Sequence, residues 1–231
     1  MPDHTNRQFD TDIDAMRSAF TTMGGMVERQ VIRAMDAVRT GDLQIVTQVL
    51  ADERVINQLH VESDLRCNQV IARRQPIAVD LREIIAVLHS VNDLERIGDE
   101  AKKIAMRARD FADTGLPIPY ESVGEMAAIA IDMLHDVIGA FMRQDVSAAT
   151  ELLTRDLQVD AMRDEIHARL AERMSQDPSS VRQSLALVFI VQSIERIGDH
   201  AKNLAEYTIN VVSGEDPRHE ERFRPVQAAA S

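Results

Sequence analysis

The chain has 231 residues, 45% of them hydrophobic, with six Phe, two Tyr and no Trp: enough apolar mass for a core, but few rings. Its 38 acidic residues outweigh 26 basic ones, and the net charge of −12 would repel a phosphate backbone, which argues against nucleic-acid binding. One cysteine, Cys67, excludes an intramolecular disulfide, and the longest apolar run, Leu185 to Val191, is far short of the roughly twenty residues a membrane helix needs.

The start, Met1-Pro2-Asp3-His4, has no basic segment followed by an apolar stretch, so a cytoplasmic protein that meets membranes only through partners is expected. Aliphatic residues together with Arg and Glu favour an all-α fold over layered sheets. In the first helix, about Arg7 to Arg39, the apolar residues Ile13, Met16, Phe20, Met23, Val27, Val31 and Met35 recur at steps of three and four. Gly24-Gly25 inside it predicts a kink or a close helix crossing, since two glycines cost about 2 kcal/mol relative to alanine. Thr40-Gly41-Asp42 reads as a stop and an N-cap.

A second helix follows from about Asp42 to Arg73 and ends at Gln75-Pro76, because proline disfavours helical geometry in the residue before it. The third runs from about Val79 to Phe111, and residues 113–119 read as a linker. Beyond it the order recurs, with helices at about Glu121–Met142, Asp145–Met174 and Ser180–Val212. Asp177-Pro178-Ser179-Ser180 breaks the last two, and a flexible tail starts at Gly214. Leu185 to Val191, apolar on every side, is expected to be covered on two sides. Short connections make each half a three-helix bundle.

The two halves share more than their order. Glu95-Arg96-Ile97-Gly98-Asp99 returns as Glu195-Arg196-Ile197-Gly198-Asp199, and nine of the fifteen positions from Val91 to Ala105 are identical one hundred residues later. Duplication of a structural unit explains this.

Residues four apart on a helix lie about 40° apart around its axis, so Glu95 and Asp99 point the same way, as do Glu195 and Asp199. Each pair repels itself, and two readings of its compensation stand open. In one, Lys102 and Lys103 pair with Asp99 and Lys202 pairs with Asp199, as solvated ion pairs worth under about 1 kcal/mol each. In the other, the carboxylates hold a hard cation, with Mg, Mn or oxygen-ligated Fe suiting such donors better than a structural zinc site.

Asp156 and Asp160 on the fifth helix repeat the four-residue step. Their counterpart in the first half, aligned through Asp-x-x-Val, is Asp52 with Ile56, which lacks the second carboxylate. Gly98 and Gly198 are assigned to close helix approach. His89, His135, His167 and His200 form no spaced pair, the methionines at helical spacing belong to the core, and Cys67 has no evident partner base. No enzyme constellation emerges.

Several segments together resemble the PhoU family very closely: Met23-Gly24-Gly25-Met26-Val27-Glu28, Arg74-Gln75-Pro76 with Asp80-Leu81-Arg82, Met133-Leu134-His135-Asp136-Val137, and both pentapeptides. The resemblance covers about residues 7 to 219. It implies two PhoU repeats, 7–112 and 120–213, followed by the tail 214–231, in a protein that forms homodimers. It also implies metal ions, as iron or zinc clusters, on Glu95, Asp99, Glu195, Asp199, Asp156 and Asp160, with Asp52 and Asp80 as further ligands.

The role implied is that of a negative regulator of the phosphate-starvation response. Such a protein is an adaptor between the ATPase subunit of a phosphate ABC transporter and a sensor histidine kinase, and it restrains uptake when phosphate is plentiful. The alternative is a carboxylate-bridged metalloprotein, a metal store or enzyme, which usually has His among its ligands; these motifs have none.

Overall fold

A computed structural model describes residues 3–112, 120–215 and 217. Its elements are α1 (Asp3–Thr40), α2 (Leu43–Arg74), α3 (Ala78–Arg107), the single turn α4 (Arg109–Ala112), α5 (Glu121–Arg143), α6 (Val146–Gln176), a 3-10 turn (Pro178–Ser180) and α7 (Val181–Ser213). The six long helices match the all-α expectation, with no strand among the described residues. The linker expected at 113–119 lies outside the described residues, as does all of the expected tail except residues 214, 215 and 217.

Corresponding turns separate the first two helices of each half. Gly41, at φ +71°, and Gln144, at φ +53°, both enter the left-handed region that closes a helix. The next residue caps the following helix: Asp42 accepts the Gln44 N–H at 2.8 Å, and Asp145 accepts the Ala148 N–H at 3.1 Å. These anchors relate α1–α2 to α5–α6 by 103 residues, whereas the pentapeptides relate α3 to α7 by 100. The first half holds the three additional residues at its second turn, around Gln75-Pro76-Ile77.

The third expected helix is interrupted. Ala108 N–H bonds to Ala105 O at 3.1 Å and Phe111 N–H to Ala108 O at 3.2 Å, an i to i−3 pattern that tightens the chain and brings Phe111 into the core.

All seven residues of the apolar stripe on α1 are buried. Each large one contributes about 1.5–3 kcal/mol over its exposed state. The stripe packs on α2 and α3, and α1 also crosses α5. There Phe20 meets Phe141 with ring centroids 4.6 Å apart. Gly24 explains the proximity: a Cβ on it would lie 2.7 Å from Ile138 Cδ1, so this glycine serves a close crossing inside an unbroken helix, whereas a Cβ on Gly25 would meet only Arg29 of the same helix, at 3.6 Å.

The larger seam between the halves is α3 against α7. Asp93 meets His200 at 2.7 Å, Glu100 meets Arg196 at 3.3 Å and the Arg107 guanidinium lies 4.5 Å from the Phe189 ring centre, so the helices run antiparallel. Duplication shows directly here. His89 stacks near Tyr207, centroids 5.5 Å apart, and these two positions shifted by one hundred and exchanged are Phe189 and Arg107. An approximate two-fold axis therefore passes near the two pentapeptides.

The apolar segment of α7 is only partly covered. Ala186, Leu187, Ile190 and Val191 are buried, but Leu185 and Phe189 remain 48% and 43% exposed on the outer edge.

Candidate functional site

Each pentapeptide lies in mid-helix, where α3 rests on α2 and α7 on α6. In the second half, all four expected acids are brought together. Asp156 is buried and accepts from Lys202 Nζ at 2.7 Å. Arg163 Nη1 bridges Asp160, at 2.8 Å, and Glu195, at 2.6 Å. Burial pushes the Asp199 carboxyl up, and Glu195, Asp156 and Asp160 add to that push. Lys202 is raised as well: burial opposes its charge, yet Asp156 and Asp199 lift it above the ordinary lysine value.

The first half is arranged differently. Asp52 turns to Arg33 on α1, and its neighbour Glu53, 4% exposed, takes the inward position. Glu53 and Asp99 share one cation, with Lys102 Nζ 3.5 Å from the former and 3.2 Å from the latter. Burial pushes Glu53 up. Asp99, although burial acts the same way on it, is held below its ordinary value by Glu53 and Lys102. Glu95, one turn back and largely shielded, has the Arg96 guanidinium 3.8 Å away. Asp80 is exposed in the first turn of α3, about 22 Å along the helix from Glu95, and does not join the group.

The 103-residue offset explains Asp52. It matches Glu53 with Asp156, Asn57 with Asp160 and Ile56 with Val159, whereas the Asp-x-x-Val alignment was one residue out of step. The second position of the first half is thus the polar Asn57, whose amide donates to Glu53 at 3.2 Å. Sequence reasoning also missed Gln30. Fully buried on α1, it donates from Nε2 to Glu53 at 3.1 Å, while its Oε1 has no hydrogen-bond partner. A polar residue beside Val27 and Val31 on the buried stripe was the available signal. Met133 takes its place in the second half.

The lysines also differ from the simple i, i+3 and i, i+4 pairing. Lys102 does pair with Asp99, but Lys103 binds Glu100 at 2.8 Å, and Lys202 crosses to Asp156. Asp99 and Asp199 line one open groove of about 630 Å³ between α3 and α7, together with Lys103, Lys202, Arg96 and Arg196.

Of the histidines, His200 pairs with Asp93 at the seam and His135 with Glu28. Cys67 is buried beside Met16 Sδ at 3.5 Å, and burial pushes its thiol up to about 11, the behaviour of a packing residue.

The model of the PhoU domain matches this sequence twice, over residues 20–108 and 123–208. The chain belongs to the PhoU family. It is 39% identical over 217 residues to the phosphate-specific transport system accessory protein PhoU homolog of Pseudomonas putida, covering 94% of this chain and 85% of that one. With the accessory protein PhoU of Escherichia coli (strain K12) it shares 36% over 219 residues, 94% and 90% of the two chains.

The crystal structure of PhoU from Pseudomonas aeruginosa superposes with a TM-score of 0.87 at 38% identity, over 90% of this chain and all of that one. The Streptococcus pneumoniae PhoU structure has the same fold at 24% identity, with a TM-score of 0.84.

Seen as PhoU repeats, the two acidic ledges have the donor chemistry that hard cations take: carboxylate oxygens, joined in the first half by the unpartnered amide oxygen of Gln30. Gly98 lets α3 come close to both oxygens, since a Cβ on it would lie 3.0 Å from Gln30 Oε1 and 3.3 Å from Glu53 Oε2. Among the described residues, no three acid, imidazole or thiol groups already converge as a cage. Side-chain cations, Lys102 in one half and Lys202 with Arg163 in the other, neutralise the acids instead. The oxygen donors therefore fit a hard cation, with these ammonium and guanidinium groups in competition.

Proposed function

We propose that this chain regulates phosphate transport as a negative regulator, contacting the ATPase subunit of a phosphate ABC transporter and a sensor histidine kinase, and holding the kinase in its inhibitory state when phosphate is plentiful. The observation that supports it is the match of both repeats, across nearly the whole chain, to phosphate-transport accessory proteins. No described helix is long and apolar enough to cross a membrane, so contact with membrane complexes runs through partner proteins in this reading. The protein acts in the cytoplasm, as a homodimer, and without catalysis.

Its acidic ledges bind metal ions through Glu95, Asp99 and Glu53 in the first half and Glu195, Asp199, Asp156 and Asp160 in the second. Cations held there would supply charge neutralisation, with Glu53 and Asp156 donated by α2 and α6 and the pentapeptide acids by α3 and α7. The antiparallel α3–α7 seam makes the two halves one lever, through which a change at a ledge reaches both bundles.

The test is a reporter for a phosphate-repressed gene in a strain lacking this chain. Expression in high phosphate, restored to repression by the intact gene, is expected. Normal repression in the deletion strain would remove the reading.

A further inference from the structure

Of the chain's 26 basic residues only three are lysines, Lys102, Lys103 and Lys202, and all three follow a pentapeptide by a few residues. Two of them hold the corresponding place in the two halves. Lys102 Nζ stands 3.5 Å from Glu53 and 3.2 Å from Asp99, and Lys202 Nζ stands 2.7 Å from Asp156. Both contact the buried acid that the neighbouring helix contributes, Glu53 being 4% and Asp156 3% exposed.

We propose that Lys102 and Lys202 are built-in competitors of the metal: each ammonium holds the cation position of its ledge, so that loading is an exchange of side-chain cation for divalent ion. This rests on the ledges being cation sites. Residue choice carries the argument. An ammonium is a compact charge on a flexible four-carbon stem, able to leave without disturbing the backbone, whereas the guanidinium of Arg163 is a rigid fork tied to Asp160, Asp164 and Glu195 at once. A chain that uses arginine almost everywhere else has lysine at the two places where a displaceable cation is needed.

The stems also have somewhere to go. Lys202 lines the groove between α3 and α7, and Lys102 keeps 41% of its side chain in solvent. Gln30 Oε1 supplies an independent sign that the first ledge is built for an additional cation. It is fully buried, without a partner, and faces the same space beside Gly98 as Glu53 Oε2. Lys102 has Glu53 and Asp99 as its carboxylate partners, so this acceptor stays open until a cation with more coordination positions arrives.

Exchange has a consequence that simple binding lacks. Removing the lysine should strengthen divalent binding, although it removes a positive charge that also stabilises the empty ledge. The experiment titrates the full chain, freed of metal by chelator and dialysis, with Mn²⁺, reading free Mn²⁺ by its EPR signal. The proteins compared are wild type, Lys102→Met, Lys202→Met, the double variant, and Lys103→Met, which removes the same charge from its direct ion pair with Glu100 and takes from Asp99 only a weaker, longer-range attraction.

The proposal expects Mn²⁺ to bind at least about tenfold more tightly to one ledge in each single variant and to both ledges in the double variant, with Lys103→Met within twofold of wild type. Thermal melts should agree: the double variant melts below wild type without metal and gains more from saturating Mn²⁺. Binding only in the lysine-free variants would also support the exchange. Equal affinities in wild type and the ledge variants would overturn it while leaving the cation sites standing. No binding in any protein would overturn both it and the ledges, and a like gain in Lys103→Met would reduce the effect to net charge.

Discussion

Arg33 on α1 pairs with Asp52 on α2, and 103 residues later the same two positions carry Asp136 and Arg155, paired at 2.5 Å with the charges exchanged. Duplication preserved the attraction and not the letters. The exchange predicts that Arg33→Asp destabilises the protein by about 1 kcal/mol or less at this partly exposed site, through a new repulsion with Asp52. Arg33→Asp/Asp52→Arg should recover most of that loss in a denaturant titration. A double variant no better than the sum of its singles would show the two positions to be uncoupled.

The two pentapeptide glycines are not equivalent. A Cβ on Gly98 meets Gln30 Oε1 at 3.0 Å, while on Gly198 it meets Val159 at an ordinary 3.5 Å and Asp156 Oδ1 at 3.7 Å. Gly198→Ala should therefore gain up to about 1 kcal/mol from helix propensity. Gly98→Ala should lose up to about 2 kcal/mol net, an overpacking cost of about 1–3 kcal/mol against a buried polar group less the same propensity gain. At about 2–4 °C per kcal/mol for a chain of this size, melting temperature separates the two. Equal shifts would contradict the asymmetry of the ledges.

Cys67 gives a pH-dependent prediction away from the ledges. Its thiol rises from 9.0 to about 11 in the fold, so above pH 9 the unfolded chain sheds a proton that the native chain keeps. The unfolded state then binds fewer protons, and stability falls as pH rises from 9 toward 11, by roughly 2 kcal/mol from this group. Cys67→Ala should be less stable than wild type at pH 7, through the lost packing, and should close that gap by pH 11. A pH-independent difference would refute the shift. At pH 8 the native thiol should react slowly with an alkylating reagent and speed up on unfolding.

What the sequence made legible follows the local periods of the chain. The α1 stripe could be read because every third or fourth residue is apolar, and the cap Asp42 because it follows the stop at Thr40-Gly41. Asp52 was misplaced for an equally definite reason. Matching Asp-x-x-Val by letters conceals that the two caps are 103 residues apart, and that offset selects Glu53 as the partner of Asp156. The seam was not legible. Whether Asp93 meets His200, or Lys202 reaches Asp156 rather than Asp199, depends on how α7 crosses its neighbours, which no helical period encodes. Leu185 and Phe189 show the same limit, since an all-round apolar segment does not reveal which of its sides stays open.

The ledges themselves offer the most direct test. Elemental analysis of protein purified without chelator should find divalent or trivalent metal in the wild type. The variant Glu53→Ala/Asp99→Ala/Asp156→Ala/Asp199→Ala, checked for unchanged helical circular dichroism, should have lost it. Equal metal content in a folded variant, or no metal in either protein after incubation with iron, zinc and manganese in turn, would contradict the assignment of the paired carboxylates as cation sites.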